Sequence, residues 1–330
     1  MKNILLISTG GTIASKPTDS GLAPQLSSEQ LLEFVPEISS ICNFKGIQLF
    51  SLDSTNVAPE HWVKIAETIE ANYNDFDGFV ITHGTDTLSY TAAALSYMIQ
   101  NSRKPIVLTG SQKSIYLRDT DARRNLIDAF TYASDEHAQG VRIVFNGNVI
   151  LGTRARKTRT QSYNAFDSID YPIVASVVRG RVLHYILWPK PAGKPKFSLH
   201  LNPDILVLKL TPGMNGDVIK TLGPHYRAII IEAFGVGGLP NLGEHSLRAA
   251  CDEYTEEGGL IAITTQVPYE GSALCTYQVG NELCNNPNVL EGGNMTMEAL
   301  TCKLIWILGQ TDDNKEVEKL FYMPVDCDII

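Results

Sequence analysis

The chain has 330 residues, of which 44% are hydrophobic, and it carries a formal net charge of −9 at pH 7. The hydrophobic content suffices for a large buried core and predicts two domains, whereas the negative charge argues against general binding to nucleic acids or membrane surfaces, since their phosphates would be repelled. We see no secretory signal, no apolar run of transmembrane length and no C-x-x-C pair, so we expect a cytoplasmic protein without a zinc or redox motif.

Short runs of Ile, Val and Leu alternate with helical patterns along most of the chain. Continuous apolar runs of this kind are typical of strands buried on both faces of a parallel sheet. In chain order, the predicted strands are Ile4–Ile7, Ile47–Leu52, Phe79–Ile81, Ile106–Leu108, Val141–Phe145, Ile205–Leu210, Ile229–Ile231 and Leu260–Ile263. The predicted helices are Pro59–Tyr73, Leu88–Asn101, Thr120–Ala133, Gly243–Glu257 and Met295–Leu308. Asn294 is the predicted N-cap of the last helix.

The alternation of strands and helices predicts an α/β fold. The stretch from Trp188 to Asn202 contains three prolines, a glycine and three lysines, a composition typical of a linker. We therefore predict a larger N-terminal domain over residues 1–188, with a mostly parallel sheet and flanking helices. A linker over 189–203 would join it to a smaller C-terminal domain with a parallel sheet over 204–330.

Three of the early strands end in turns that combine glycine with hydroxyl side chains. These turns are Thr9–Thr12, Thr82–Thr87 and Thr109–Ser111, and Asp53–Asn56 adds a similar one. Because the carboxyl ends of parallel strands share one edge of a sheet, we expect the turns to converge there. Glycine lets the backbone approach a ligand closely, and hydroxyls can act as donors, acceptors or nucleophiles. The alternative interpretation is that each is only a polar turn.

A basic segment, Gly152–Arg159, follows the strand predicted at Val141–Phe145. One interpretation is a basic loop exposed to solvent. The other is that its Lys157 points into the interior of the protein. A lysine beside a carboxylate and a threonine hydroxyl could shuttle a proton. The common phosphate-binding motifs, H-E-x-x-H and G-x-S-x-G are absent, so acyl transfer here would have to use something other than a Ser-His pair.

The segments TGGTI at residues 9–13 and HGTDT at residues 83–87 resemble the two signatures of the bacterial-type L-asparaginases. Further segments stand in the order of that family, so that the resemblance covers essentially the whole chain: DST at 53–55, TGS at 109–111, RARKTR at 154–159, GVGG at 235–238 and NMTMEA at 294–299. The absent leader and SYNAFDS at 162–168 resemble the type I, cytoplasmic branch. An archaeal-type glutamyl-tRNA amidotransferase subunit shares both signatures but carries an additional N-terminal domain, whereas TGGTI here begins almost at residue 1.

The resemblance implies hydrolysis of the side-chain amide of L-asparagine to L-aspartate and ammonia, without a metal or organic cofactor. By the family pattern, Thr12 is the nucleophile and forms a β-aspartyl ester, while Thr85, Asp86 and Lys157 form a second catalytic cluster that activates water. The alternative family mechanism assigns the attack to the other threonine. The positions that match substrate-binding residues are Gly11, Asp53, Ser54, Thr55, Gly84, Thr85 and Asp86. Asp86 would bind the α-ammonium group and Ser54 the α-carboxylate, and Asp53 would either stabilise its turn or face the ammonium group.

Leu22 stands where type I relatives usually have a tyrosine that helps to activate the nucleophile. Tyr116 and Tyr163 are candidate substitutes. We further predict that the loop Gly10–Pro24, rich in Gly, Ser and Thr, is a lid that orders over the substrate.

Two other functions stay open: a catalytically weak protein that binds amino acids, favoured by Leu22, and an amidotransferase subunit. Type I relatives assemble as dimers or dimers of dimers, so we expect a homodimer or homotetramer. We also expect asparagine to be preferred with weak activity on glutamine, because one extra methylene changes discrimination by about 1–3 kcal/mol.

Overall fold

The chain folds into two units, Met1–Leu199 and His200–Ile330. The computed structural model describes residues 1–18, 21–24, 26–243, 245–274 and 283–330, without the side chains of residues 17, 18, 21–24 and 284. None of the helices in these ranges is both long and apolar enough to cross a membrane. Each unit has its own sheet, and helices alternate with the strands of that sheet along the chain. The predicted α/β fold with two parts is therefore confirmed.

An eight-stranded mixed sheet forms the first unit. The strands of this unit are β1 (Asn3–Gly10), β2 (Ser15–Thr18), β3 (Gly21–Pro24), β4 (Asn43–Leu52), β5 (Gly78–Thr82), β6 (Ile99–Gln100), β7 (Pro105–Thr109), β8 (Gly140–Phe145), β9 (Asn148–Leu151), β10 (Ala155–Lys157), β11 (Phe166–Ser168), β12 (Ala175–Val178), β13 (Arg181–His184) and β14 (Lys196–Phe197). The sheet order is β13-β12-β9-β8-β7-β5-β1-β4, parallel from β8 to β4 and antiparallel from β8 to β13. The carboxyl ends of β1, β5 and β7 therefore lie side by side.

The helices described in the first unit are α1 (Ser28–Glu33), α2 (Pro59–Asn72), α3 (Leu88–Met98) and α4 (Ala122–Ala133). Helix α2 begins with proline and glutamate, which suit a first turn, and it buries one stripe that includes Trp62, Ile65 and Ile69. Helix α3 ends three residues before the predicted Asn101, because residues 99–100 pair as β6 with β14. This pairing builds part of the proline- and lysine-rich stretch into the first unit.

A four-stranded parallel sheet forms the second unit. Its elements are β15 (Ile205–Lys209), α5 (Asp217–Leu222), β16 (Ala228–Ala233), α6 (Leu247–Glu256), β17 (Leu260–Thr265), β18 (Val289–Glu291), α7 (Met297–Leu308) and α8 (Asn314–Tyr322). The sheet order is β15-β16-β17-β18. The predicted N-cap Asn294 is wrong, because helix α7 begins two residues later than expected. Its N-cap is Thr296, whose hydroxyl accepts a hydrogen bond from the Ala299 amide at 3.0 Å.

The prediction that each apolar run is buried on both faces is correct for β5 and β7, whose residues are all buried. It is wrong for the runs Ile47–Leu52 and Ile205–Leu210. Strands β4 and β15, which contain most of these residues, are partly exposed. Both are edge strands of their sheets, so less of each strand is covered than in the centre.

Candidate active site

The turns after β1, β5 and β7 meet at one edge of the first sheet. The strands are in register, with Ser8 beside Thr82 and Thr82 beside Thr109. The backbone N–H of His83 then donates to Thr109 O at 2.9 Å, and the Thr9 hydroxyl donates to Thr82 O at 2.8 Å. The glycine-hydroxyl turns are thus bonded to one another where the strands end.

Three of these turn residues, Gly11, Gly84 and Ser54, lie against one another, and we call them the glycine seam because neither glycine position has room for a side chain. Gly11 has a φ of +78°, and a Cβ atom added to it would lie 2.4 Å from the backbone N of Gly84. A Cβ atom on Gly84 would lie 2.5 Å from Ser54 Oγ. Only glycine avoids both clashes, and at Gly11 it also avoids backbone strain. The seam brings three segments that are distant in the sequence into direct contact.

A small cavity of about 60 Å³ lies beside the glycine seam. The residues that line it are Gly11, Thr12, Ser15, Asp53, Ser54, Gly84 and Asp86. Six of these seven residues are among the predicted site residues, and Ser15 is the addition. A larger cavity of about 400 Å³ lies in the second unit among Tyr226, Arg227 and Tyr254, and contains none of the predicted residues.

The predicted residues that do not line the cavity are connected to it by hydrogen bonds. Lys157 Nζ donates to Asp86 Oδ1 at 2.6 Å and to Thr85 Oγ1 at 2.8 Å. Thr85 is 6% exposed, whereas the Asp86 side chain is 56% exposed and can meet a ligand. Thr55 is exposed and contacts Asp53. Lys157 therefore joins a buried hydroxyl to a carboxylate at the cavity.

Sequence reasoning missed Gln112, which contacts this cluster. Thr85 Oγ1 donates to Gln112 Oε1 at 3.3 Å, and Gln112 Nε2 donates to Ser162 O at 3.1 Å. The Thr85 hydroxyl thus accepts from lysine and donates to an amide. The available signal was that Gln112 directly follows the turn Thr109–Ser111, but nothing in that spacing shows which way its side chain points.

Asp53 stabilises its turn, whereas its role toward the ammonium group of a substrate stays a prediction. Its carboxylate accepts from the backbone N–H and the hydroxyl of Thr55, both at 3.0 Å, and so stabilises the turn. Asp53 also lines the cavity. Ser54 is 2% exposed, and its carbonyl accepts from the Thr87 hydroxyl at 2.7 Å, which ties this turn to the one after β5.

His83 is fully buried in a chain of hydrogen bonds beneath the cavity. The indole N–H of Trp62 donates to Thr91 Oγ1 at 3.0 Å, and Thr91 contacts His83 Nε2 at 3.0 Å. His83 Nδ1 lies 2.8 Å from Gly84 O. An indole nitrogen only donates and a carbonyl only accepts, so the neutral ring carries its proton on Nδ1 and accepts from Thr91. Burial lowers the pKa of His83 to about 4, although its bond to Gly84 opposes the shift.

The lowered pKa of His83 predicts a loss of stability in mild acid. The unfolded imidazole has a pKa of about 6.5, so the unfolded chain takes up the proton first. The stability contributed by the neutral ring is complete above that pH and is lost as the pH falls toward 4. We expect wild type to lose about 2 kcal/mol more than His83→Gln between pH 7 and pH 5, as measured by urea unfolding. The exposed His225 supplies a control, since His225→Gln should follow wild type. Equal losses in His83→Gln and wild type would contradict the prediction.

The beginning of the predicted lid is anchored. Ile13 and Ala14 are buried, and β2 pairs with β3 beyond them. The backbone of Leu22 belongs to β3, and its side chain lies outside the described residues. Tyr116 packs edge-on against Phe34. The Tyr163 hydroxyl donates to the backbone carbonyl of Asp119, and neither tyrosine is among the cavity-lining residues.

No group of three or more His, Cys, Asp or Glu side chains in the described part of the chain could hold a metal ion. The cavity instead offers hydroxyls, carboxylates and backbone amides. These groups suit the binding of a small polar ligand. Because a lysine-bonded threonine lies next to the cavity, they also suit acyl transfer by a hydroxyl.

Two family models match the chain. The model described as Asparaginase, N-terminal, matches residues 3–188, and the Glutaminase/Asparaginase C-terminal domain matches residues 204–321. The L-asparaginase of Thermococcus kodakarensis is 37% identical over 325 residues, which is 96% of each chain. A glutamyl-tRNA(Gln) amidotransferase subunit from Pyrococcus furiosus is 35% identical over 97% of this chain and 75% of its own length.

Solved structures of L-asparaginases also resemble this chain. The structure of the thermostable L-asparaginase from Thermococcus kodakarensis matches with a TM-score of 0.92 and 36% identity, over 99% of each chain. L-asparaginase I from Vibrio cholerae matches with a TM-score of 0.88 and 31% identity, over 100% of this chain and 99% of that one. With both family models matched and relatives alike in sequence and fold along nearly the whole chain, this protein belongs to the asparaginase family.

Proposed function

We propose that this protein hydrolyses the side-chain amide of L-asparagine to L-aspartate and ammonia, with weak activity on L-glutamine. The observation that carries the proposal is the glycine seam, because it brings the turn of Thr12 against the turn of Thr85 and Asp86, to which Lys157 donates from β10. Thr12 lines the cavity, and Asp86 links that cavity to Lys157 and Thr85. One hydroxyl thus lies at the cavity, and a second, lysine-bonded hydroxyl lies next to it.

The two hydroxyls divide the reaction into two steps. In the first, Thr12 Oγ attacks the amide carbon, the C–N bond breaks, and the Thr12 proton leaves with the nitrogen as ammonia. In the second, water attacks the resulting β-aspartyl ester, releases aspartate and restores the threonine. Lys157 holds the oxygen of Thr85 at 2.8 Å, which orients this hydroxyl to act on the water. Splitting amide hydrolysis in this way replaces one difficult step with two easier ones.

Substrate recognition falls to the polar groups around the cavity. Asp86 presents a largely exposed carboxylate to the α-ammonium group, and Asp53 adds a second negative charge nearby. Ser54, which lines the cavity, binds the α-carboxylate, while the backbone N–H of Thr55 is bonded to Asp53. Backbone amides of the glycine turns stabilise the oxyanion, for which one donor is worth about 3–4 kcal/mol in a well-formed site.

Fixing both α-groups sets how far the side-chain amide reaches. Glutamine is longer by one methylene, so its amide carbon is displaced from Thr12. We expect kcat/KM for L-asparagine to exceed that for L-glutamine by roughly 10- to 200-fold. Ammonia release at a series of concentrations of each amino acid measures this ratio, with D-asparagine as the control for correct placement of the α-groups. A ratio near one, or a preference for glutamine, would show that the α-groups do not set the reach.

The same assay separates the alternatives. Binding of asparagine in a calorimeter without ammonia release would identify a non-catalytic binding protein, and would make Leu22→Tyr the first variant to test. Ammonia release that requires a co-purified second chain and tRNA would identify an amidotransferase subunit. We also propose that the protein forms a homodimer or homotetramer, and sedimentation velocity distinguishes these assemblies from a monomer. Its cytoplasmic location stays a prediction.

A further inference from the structure

Ser15 lines the cavity but lies outside the two sequence signatures. Ser15 is 3% exposed, and its hydroxyl donates to the backbone carbonyl of Gly11 at 2.9 Å. The amide of Ala14 donates to the same carbonyl at 3.1 Å. Two donors from the chain just after Thr12 therefore hold the carbonyl just before it.

The carbonyl of Gly11 and the N–H of Thr12 belong to one peptide group. In a trans peptide these two groups point in opposite directions, and rotating one rotates the other. Glycine allows such a rotation more readily than other residues, and Gly11 has a φ of +78° and a ψ of 177°. A restraint on the Gly11 carbonyl therefore limits the rotation of this peptide.

Ser15 and the two residues before it are hydrogen-bonded to other segments of the chain. The Ser114 hydroxyl donates to Ser15 O at 2.5 Å, and the amide of Ile115 donates to Ile13 O at 3.4 Å. The amide of Leu26 donates to Ala14 O at 3.0 Å. The serine that restrains the Gly11 carbonyl is thus fixed through its own backbone, so it can transmit that rigidity to the peptide before Thr12.

We propose that Ser15 is a positioning residue for Thr12. By holding the Gly11 carbonyl, its hydroxyl fixes the Gly11–Thr12 peptide so that the Thr12 amide and side chain keep one orientation at the cavity. This inference rests on the proposed function, in which Thr12 attacks the substrate. A misplaced nucleophile slows the chemical step more than it weakens substrate binding, since Asp86 and Ser54, which bind the α-groups of the substrate in the proposed function, lie on other segments.

Steady-state kinetics of Ser15→Ala and Ser15→Thr with L-asparagine test the proposal. Ser15→Ala should lower kcat about tenfold and change KM less than about threefold, because only the orientation of the nucleophile is lost. Ser15→Thr keeps the hydroxyl and should restore kcat to within about threefold of wild type. Ser8→Ala is the matched control. Ser8 is buried on β1, and its hydroxyl has no hydrogen-bond partner among the described residues.

Thermal melting of each variant separates positioning from folding. If Ser15→Ala does not fold, Ser114→Ala replaces it, since that change releases Ser15 O and should also lower kcat with little change in KM. The proposal is overturned if the folded Ser15→Ala variant keeps the kcat of wild type, or if KM rises while kcat does not fall. No ammonia release from wild type would overturn the proposed function and this inference with it, whereas an active wild type with an unimpaired Ser15→Ala overturns the inference alone.

Discussion

Thr12→Val is expected to lower kcat/KM for L-asparagine by about 10⁴- to 10⁶-fold, since removing a covalent nucleophile costs that much in well-studied hydrolases. Valine keeps the shape of threonine and removes only the hydroxyl, and Thr12 is half-buried at the cavity beside the glycine seam. Ammonia release measures the loss. Mass spectrometry of acid-quenched wild type, with a β-aspartyl group on the peptide that contains Thr12, would identify the ester directly.

Two further variants make the Thr12 experiment specific. Thr12→Ser keeps a hydroxyl and should keep measurable turnover. Thr68→Val removes a hydroxyl on the exposed side of α2, where it bonds only locally to Lys64 O, and should behave as wild type. If Thr12→Val stays active and Thr85→Val does not, the attack belongs to Thr85 and the alternative family mechanism applies.

Lys157→Met is expected to lower kcat by about 10²- to 10⁴-fold, the range typical for loss of a positioned acid–base group. Lys157 is the donor that joins Thr85 to Asp86, so without it the Thr85 hydroxyl loses its orientation. The fold should tolerate the change, because the Asp86 side chain is 56% exposed and remains hydrated. Single-turnover measurements should show that the ester accumulates, since the second step is the one that needs Thr85.

Lys319→Met is the control for the loss of one positive charge. Lys319 pairs with Glu316 on the surface of α8 in the second unit, where its side chain is 73% exposed. Lys157→Arg keeps the charge but replaces a compact ammonium with a planar fork, and should restore only part of the activity. An unchanged kcat in Lys157→Met would remove this lysine from the mechanism.

The parts of the fold that depend on local pattern were predictable from the sequence. The apolar runs at Phe79–Ile81 and Ile106–Leu108 lie in buried parallel strands, and the rule that such strands end at one edge brought their turns together. Exposure of the runs Ile47–Leu52 and Ile205–Leu210 was not predictable, because nothing local tells an edge strand from a central one. Asn294 and Thr296 are both good N-caps, so the choice between them depended on where α7 begins.

For the candidate site, the sequence predicted most of the residues that meet at the cavity but not all of their neighbours. The roles of Thr12, Thr85, Asp86 and Lys157 stay predictions, although the structure brings the last three into contact and places Thr12 at the same cavity as Asp86. Ser15 and Gln112 were not predicted from the sequence, because the hydrogen bonds of their side chains depend on tertiary packing. Turn-forming residues reveal where a backbone must bend, but a serine or glutamine has many equally common uses.

The glycine seam also limits how this cavity can be altered. Gly11 and Gly84 both line this cavity, and neither contributes a side chain to it. An added methyl group at either position would overlap its neighbour at 2.4 or 2.5 Å. Substitution there destroys the contact between segments and cannot reshape it. A variant library seeking a new substrate should therefore leave both glycines fixed and vary side chains at the cavity such as Asp53.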